Sequence, residues 1–342
     1  MTYNGLHDLQ DLRNLQGGVM AELTRHQIEE WLALEETEFY IDRFREKHQI
    51  SPETSNLYVT FNRLCSEKKL RALGRGLYRK VKHIDPVKWM EADEEVYFDL
   101  AFPTGHEDFS GFGFDDLISV SPGDLGIISG VSNAGKSALA LSFLGENVDK
   151  HGCVLMGNEY TTLDARPSPK FKRRMMNMKW VNWINGDGQP KFDLLPVREN
   201  FEDYIVPGKV NIIDWINLTD QFYRIGGILE EIKAAVGDGI AIVVLQKEEN
   251  SELGRGKGFT RDLADFYFSI DPFGDWQGRL TVGKVKAPKK RVTGRMWAFR
   301  MVDSGANLHD IRELVKCPKC WGKGWKNNVP CDTCGKMGYI DL

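Results

Sequence analysis

Eight consecutive residues, Gly130-Val131-Ser132-Asn133-Ala134-Gly135-Lys136-Ser137, follow the pattern GxxxxGK[ST]. That spacing suits phosphate binding. Glycines let backbone N–H groups at Gly130, Ser132, Asn133, Ala134 and Gly135 turn inward, at a helix start where anions are favoured. Lys136 is then placed to neutralise the β- and γ-phosphates of ATP, and the Ser137 hydroxyl to hold Mg²⁺. Three more polar residues end short apolar runs. Glu159 follows Val154-Leu155-Met156-Gly157-Asn158, Asp214 closes Val210-Asn211-Ile212-Ile213, and Gln246 closes Ile240–Leu245. Their expected roles are general base for the attacking water, Mg²⁺ holder, and γ-phosphate sensor.

A second constellation lies at the C-terminus. Cys317-Pro-Lys-Cys320 and Cys331-Asp-Thr-Cys334 form two CxxC pairs separated by ten residues. Four thiolates at this spacing suit a closed, structural Zn²⁺ site rather than a catalytic one. A stretch this short buries no core of its own, so metal binding supplies its folding energy. Cys65 and Cys153 sit among apolar residues and are expected to be core side chains.

The surrounding sequence supplies elements to position these groups. Leu125–Ser129 reads as a strand entering the phosphate loop and Ser137–Leu144 as a helix leaving it. From 111 to 314, short apolar strands alternate with helices, the pattern of an α/β domain with a largely parallel sheet. Residues 85–110 are acidic and without sustained period, and read as a linker. Residues 315–342 hold the cysteines, and 1–20 read as a loose leader.

Between 21 and 84, Thr24 and Gln27 make a capping box before Ile28, Trp31 and Leu32. A second amphipathic stretch runs through Phe39, Ile41 and Phe44. Ser51-Pro52-Glu53 starts a helix that turns Leu57, Phe61 and Leu64 inward. Leu70–Leu73, the turn Gly74-Arg75-Gly76 and Leu77–Val81 then form a hairpin. Residues 60–82 carry eight cations and one acid, Glu67, the local charge a phosphate backbone would need.

The 342 residues carry a net charge of −4, with 42% hydrophobic and 27% charged residues. This excludes a wholly basic, histone-like binder and fits a multidomain soluble chain. Ile240–Leu245 is far short of the roughly 20 apolar residues that span a bilayer. The polar N-terminus has no signal core. No membrane association and a cytoplasmic location are expected.

Residues 103–302 resemble the RecA-type ATPase core, close to the motor domain of DnaB-type replicative helicases and their KaiC-like relatives. The likeness is carried by FPTGHEDFSGFGFDDLISVSPGDLGIISGVSNAGKSALAL and by the strand IIDWINL, which resembles the family's Walker B strand. Glu159, Asp214 and Gln246 fall where that family places its catalytic Glu, magnesium Asp and sensor Gln. Lys284 and Lys286 in Leu280–Lys286 resemble the family's basic pair, which reaches across a subunit boundary to the neighbour's γ-phosphate. DnaB-type proteins usually carry Arg at the second position, so Lys286 looks more like the RecA recombinases. The 21–84 region resembles a winged helix-turn-helix, and CPKCWGKGW resembles the CxxCxGxG repeat of DnaJ-type zinc modules. In the second half, Gly335 and Gly338 look displaced from that repeat.

The resemblance implies an α/β, RecA-like P-loop NTPase core with an N-terminal winged helix and a small C-terminal zinc ribbon. It implies ATP, Mg²⁺ and Zn²⁺ as cofactors, and a homo-oligomeric ring or filament, because the finger acts on a second subunit. Single-stranded DNA is the expected partner of the ATPase loops, where Arg255, Lys257 and Arg261 follow the sensor strand, and duplex DNA that of the winged head. Residues 284–300 hold seven cations and no acid, and 166–179 add a third basic stretch. A helicase-like motor, a RecA-like filament or annealing protein, and a KaiC-like nucleotide-gated regulator all remain open.

Overall fold

The computed structural model describes residues 25–342 except 51–54, 92, 94–95, 158, 162–165, 217–223, 249–250, 252 and 255–257. The leader, Thr24, Ser51-Pro52-Glu53, Arg255 and Lys257 therefore lie outside the described residues. The chain divides into two units, Met1–Ala92 and Asp93–Leu342.

The smaller unit runs α1 (Arg25–Leu34), β1 (Glu38–Tyr40), α2 (Ile41–His48), α3 (Ser55–Ser66), β2 (Leu70–Gly74) and β3 (Leu77–Lys80). Ile28, Trp31 and Leu32 on α1, Phe44 on α2, and Leu57, Phe61 and Leu64 on α3 are buried at helical spacing and meet in one core. Phe39 departs from the helical expectation. It lies on β1, opposite Tyr78 of β3, in an antiparallel sheet of order β1-β3-β2. The open edge of β3 takes up the extended Glu38–Tyr40, and this turns the Phe39 ring inward. Arg25 grips Glu67 with both Nη atoms, at 2.8 and 2.6 Å, which neutralises the one acid of the basic 60–82 stretch.

The larger unit begins inside the expected linker. Trp89 and Met90 are exposed, but Phe98, Leu100 and Phe102 are buried in the main core of the larger unit. These three alternate along extended chain, and the Asn147 side chain bonds both the N–H (2.9 Å) and the C=O (2.8 Å) of Ala101 between them. Residues from about 96 onward thus belong to the α/β unit, a correction to the 85–110 linker.

The hairpin β4 (Thr104–Gly105) and β5 (Ser110–Gly111) leads to β6 (Leu125–Gly130), α4 (Lys136–Asn147), β7 (Cys153–Met156), α5 (Pro169–Asn177) and β8 (Phe192–Leu195). Then come β9 (Val210–Ile213), α6 (Ile225–Ala235), β10 (Ile240–Gln246), α7 (Gly258–Leu263), β11 (Phe266–Pro272), β12 (Gln277–Val285), β13 (Met296–Val302) and β14 (Asn307–Lys316). The tail adds β15 (Trp325–Lys326), β16 (Val329–Pro330) and β17 (Tyr339–Asp341).

Ten strands make one sheet, in the order β17-β14-β13-β12-β11-β6-β10-β9-β7-β8. From β11 to β8 all neighbours are parallel; from β11 to β17 they are antiparallel. The parallel strands read as continuous apolar runs because both faces are covered; Ile240–Leu245 is buried throughout. Strand β12 alternates, with Gly278, Leu280 and Val282 buried. Gly126 is required in β6, since a Cβ there would lie 2.1 Å from the Phe266 ring. Helix α4 is buried from Ala138 to Leu144, which fixes the phosphate loop between two core elements.

The tail is not a separate appendage. Strand β14 crosses the expected boundary after 314, and β17 pairs with it through Leu314–Asp341, Val315–Ile340 and Lys316–Tyr339. Among the described residues no helix is long and apolar enough to cross a membrane.

Candidate functional site

Parallel strands point their C-terminal ends in one direction, and the loops leaving β6, β7, β9 and β10 converge there. They line a cleft of about 600 Å³ whose walls include Ser132, Asn133, Gly135, Lys136, Ser137, Glu159, Asp214 and Gln246. Gly130 ends β6 beneath it, and Ala134 is buried in the loop.

The loop is shaped for backbone N–H groups to face inward. Asn133 and Gly135 have φ of 61° and 106°, and a Cβ on Gly130 would lie 2.8 Å from the Ile270 carbonyl. Lys136 donates from Nζ to the Val131 carbonyl at 2.7 Å, holding its ammonium inside the loop. Burial pushes the Lys136 pKa down, opposed by Asp214 and Glu159. Gln246 Nε2 donates to Ser132 Oγ at 2.9 Å, so the end of β10 is already linked to the loop.

Asp214 is 2% exposed. Its Oδ2 accepts a hydrogen bond from the Tyr160 hydroxyl, while Oδ1 is buried with no partner. Burial pushes the Asp214 carboxyl up, against the downward pull of the Tyr160 and Ser137 hydroxyls. Burial, then the Asp214 charge, push the Tyr160 phenol well above its ordinary value. An unpaired buried carboxylate oxygen beside Ser137 is the donor set a hard cation needs, so these residues fit Mg²⁺. Glu159 is exposed to the cleft and is held by Trp215, whose Nε1 donates to Oε1 at 2.9 Å.

Tyr160 and Trp215 escaped sequence reasoning, although each directly follows a residue that was singled out. Arg174, Trp276, Met301 and Ser304 complete the wall. Trp276 comes from the turn between β11 and β12 and Met301 from β13, and no motif marks them.

Lys284 and Lys286 do not line the cleft. Lys284 pairs with Tyr267 at the start of β11, the end of the parallel strands away from the phosphate loop. Its Nζ donates to the carbonyls of Arg261 and Asp262 at 2.8 and 2.7 Å. Lys286 pairs with Asp265 Oδ1 at 2.7 Å, and Asp265 also binds Lys233 and the Leu125 N–H. Of the other basic stretches, Phe171 and Trp297 are buried core residues and Arg174 reaches the cleft.

The four tail cysteines meet, their sulfurs all within 4.8 Å of one another and all buried. Cys317 Sγ and Cys331 Sγ are 3.8 Å apart, Cys320 Sγ and Cys334 Sγ 3.6 Å. The Gly324 and Gly338 N–H groups donate to Cys320 and Cys334 Sγ, each at 3.2 Å. The two glycines stand four residues after the second cysteine of their pairs, so Gly338 is not displaced, whereas Gly322 and Gly335 have no glycine counterpart. Free cysteines whose sulfurs accept backbone hydrogen bonds, which favour the thiolate, fit Zn²⁺. Cys153 is buried, and burial pushes its thiol up to about 12, as expected of a core residue.

No protein-family model matches the chain, and a search of curated proteins returns no relative. Among solved structures, a KaiC-like protein from the hyperthermophilic archaeon Pyrococcus horikoshii OT3 is similar at 16% identity. The match covers 63% of this chain and 99% of that one, with a TM-score of 0.46. The RadB recombinase is similar at 14% identity over 56% of this chain and 91% of its own, with a TM-score of 0.41.

Proposed function

We propose that the chain is an ATP-hydrolysing, DNA-binding oligomer of RecA type, close to the DnaB-type motors, acting in DNA replication or recombination. One observation carries this reading: Lys136, Ser137, Glu159, Asp214 and Gln246 line one cleft at the ends of four adjacent parallel strands.

In this reading the loop N–H groups and Lys136 hold the phosphates and orient the γ-phosphoryl group. Ser137 and Asp214 hold Mg²⁺, which when bound offsets charge on the phosphate oxygens. Glu159, oriented by Trp215, accepts the proton of the attacking water. Gln246, bonded to Ser132, passes a change at the loop to the segment after β10. Lys284 and Lys286 stand away from their own subunit's cleft, so their action on a γ-phosphate requires a neighbouring subunit, in a ring or a filament. The order helix–strand–helix–helix–hairpin in the smaller unit, with Glu67 neutralised, supports a winged helix that contacts duplex DNA. That same feature favours the nucleotide-gated regulator as a second reading.

The test is steady-state ATP turnover alone, with single-stranded DNA and with duplex DNA, using Lys136→Ala as the blank. Strong stimulation by single strands supports a motor or filament, and strand separation on a forked substrate then singles out the motor. Slow turnover indifferent to single strands, with binding to duplex sites, would select the regulator.

A further inference from the structure

The two halves of the Cys₄ module, 317–325 and 331–339, take left-handed backbone at the same positions but differ in residue at two of them. Gly324 (φ 74°) and Gly338 (φ 78°) are reciprocally packed: a Cβ on Gly324 would lie 2.2 Å from the Lys336 carbonyl, and one on Gly338 2.5 Å from the Gly322 carbonyl. This two-fold match aligns Trp321 (φ 56°) with Gly335 (φ 55°), and Gly322 (φ 85°) with Lys336 (φ 74°). Both pairs need left-handed backbone, which glycine adopts freely and other residues adopt at a cost. At each pair one half uses glycine, and the other carries an aromatic or a cation. Strain of this kind, held by the surrounding fold, is an indicator of function.

Neither side chain is buried, so burial does not explain the cost. Trp321 is 77% exposed and has no ring partner among the described residues. Lys336 Nζ lies 5.3 Å from the centre of the Trp325 ring, and Trp325 is itself 47% exposed. Lys316, Lys323 and Lys326 are exposed and, among the described residues, in no ion pair. The nearby acids are already neutralised: Asp332 by Lys319, Asp341 by Arg312, and Glu313 by Arg295.

We propose that this module binds single-stranded nucleic acid, with bases stacking on Trp321 and Trp325 and phosphates running past Lys316, Lys323, Lys326 and Lys336. Indole faces serve unstacked bases, which a duplex does not offer, and the unpaired lysines complement the backbone. Lysine is depleted at protein–protein interfaces, so the same module fits a protein partner less well. The inference does not depend on the ATPase reading.

The experiment uses the full, zinc-loaded chain without nucleotide, titrated against fluorescent oligodeoxythymidylate and oligouridylate while anisotropy is read. Trp321→Gly suits the backbone at that position, so metal content and DNA-free ATP turnover are expected to stay at parental values. Binding is expected to weaken about tenfold or more, and Trp325→Ala to do the same. Lys323→Gln with Lys326→Gln should lower the salt dependence of binding by somewhat more than one counterion. Equal affinity for the two oligonucleotides supports a module indifferent to the sugar, and a preference supports it and names the strand. Should Trp321→Gly lose its metal, Trp325→Ala and the lysine pair decide. Parental affinity in the tryptophan variants overturns the proposal. So does a parental chain that binds neither oligonucleotide, which would leave the module to a protein partner.

Discussion

In the cleft, the polar side chains stand at the ends of strands whose own core is complete without them: Ile127, Ile128, Val243 and Val244 are fully buried below Lys136 and Gln246. In the Cys₄ module the four thiols are themselves the buried cluster, and among the described residues Ile340 packs against them. A scaffold of the first kind tolerates loss of its chemistry, whereas one of the second kind has no fold apart from its chemistry. Removing the metal should therefore give the largest structural effect in the molecule and leave it local. Zinc in such modules contributes roughly 10–16 kcal/mol of apparent binding energy. Chelation, or Cys320→Ser, should abolish hydrogen-exchange protection across 317–341, including the β17 pairing to β14. Amides of β6 and β10 should keep theirs. Loss of protection spreading through β6 would break the comparison.

The converse prediction concerns Lys136. Replacement by Ala should cut turnover about 10²–10³-fold, by analogy with loss of one preorganised transition-state donor. Thermal unfolding should shift little, because burial already disfavours the Lys136 ammonium and no core contact is lost. A drop in melting temperature as large as that on metal removal would mean the loop is part of the scaffold after all.

What could be read in advance follows the same division. The phosphate loop is eight contiguous residues, and Asp214 and Gln246 end apolar runs, so sequence order alone brings them forward. Trp215, Trp276 and Met301 reach the cleft, and Tyr160 reaches Asp214 in its wall, through tertiary packing, and no motif marks them. Phe98, Leu100 and Phe102 did carry a period-two signal, but only five residues of it beside the acidic run ending at Glu95, and so they read as linker. The cysteine pairs were fully legible. The return of the chain to β14 was not, because a three-residue strand pairing across more than twenty residues leaves no local trace. Phe39 is a similar case: its apolar spacing fits a helix, and only the partner strand β3 decides otherwise.

Tyr160 offers a finer test, since it acts on the cleft through Asp214. Tyr160→Phe keeps the ring against Phe171, at 4.7 Å between centres, and removes the hydroxyl that favours ionised Asp214. The Asp214 carboxyl should then rise further, and the acid limb of the turnover profile should move to higher pH. The Mg²⁺ concentration for half-maximal turnover should change with it. An unaltered profile would show that the phenol does not tune the carboxylate.

The smallest expected effect is also the one that separates the two lysine roles at the far end of the sheet. Asp265 is buried, yet its carboxyl is held below the usual range, because Lys233, Lys286 and the Leu125 N–H outweigh the cost of burial. Its folded value lies below the unfolded one, so its contribution to stability is present above about pH 4 and is lost as pH falls through the folded value. Asp265→Asn should cost about 1–3 kcal/mol in urea unfolding at pH 7, and progressively less as pH falls below about 4, where the parent loses the same contribution. Lys286→Ala breaks the same pair at its half-exposed end and should cost less. If Lys286 serves only Asp265, both variants lose stability and neither loses turnover per folded molecule. If it completes a neighbour's cleft, Lys286→Ala lowers turnover, whereas Asp265→Asn frees the lysine and preserves it. Mixing Lys286→Ala with Lys136→Ala chains should then restore part of the activity, because a Lys286→Ala subunit keeps an intact cleft that a Lys136→Ala neighbour can complete.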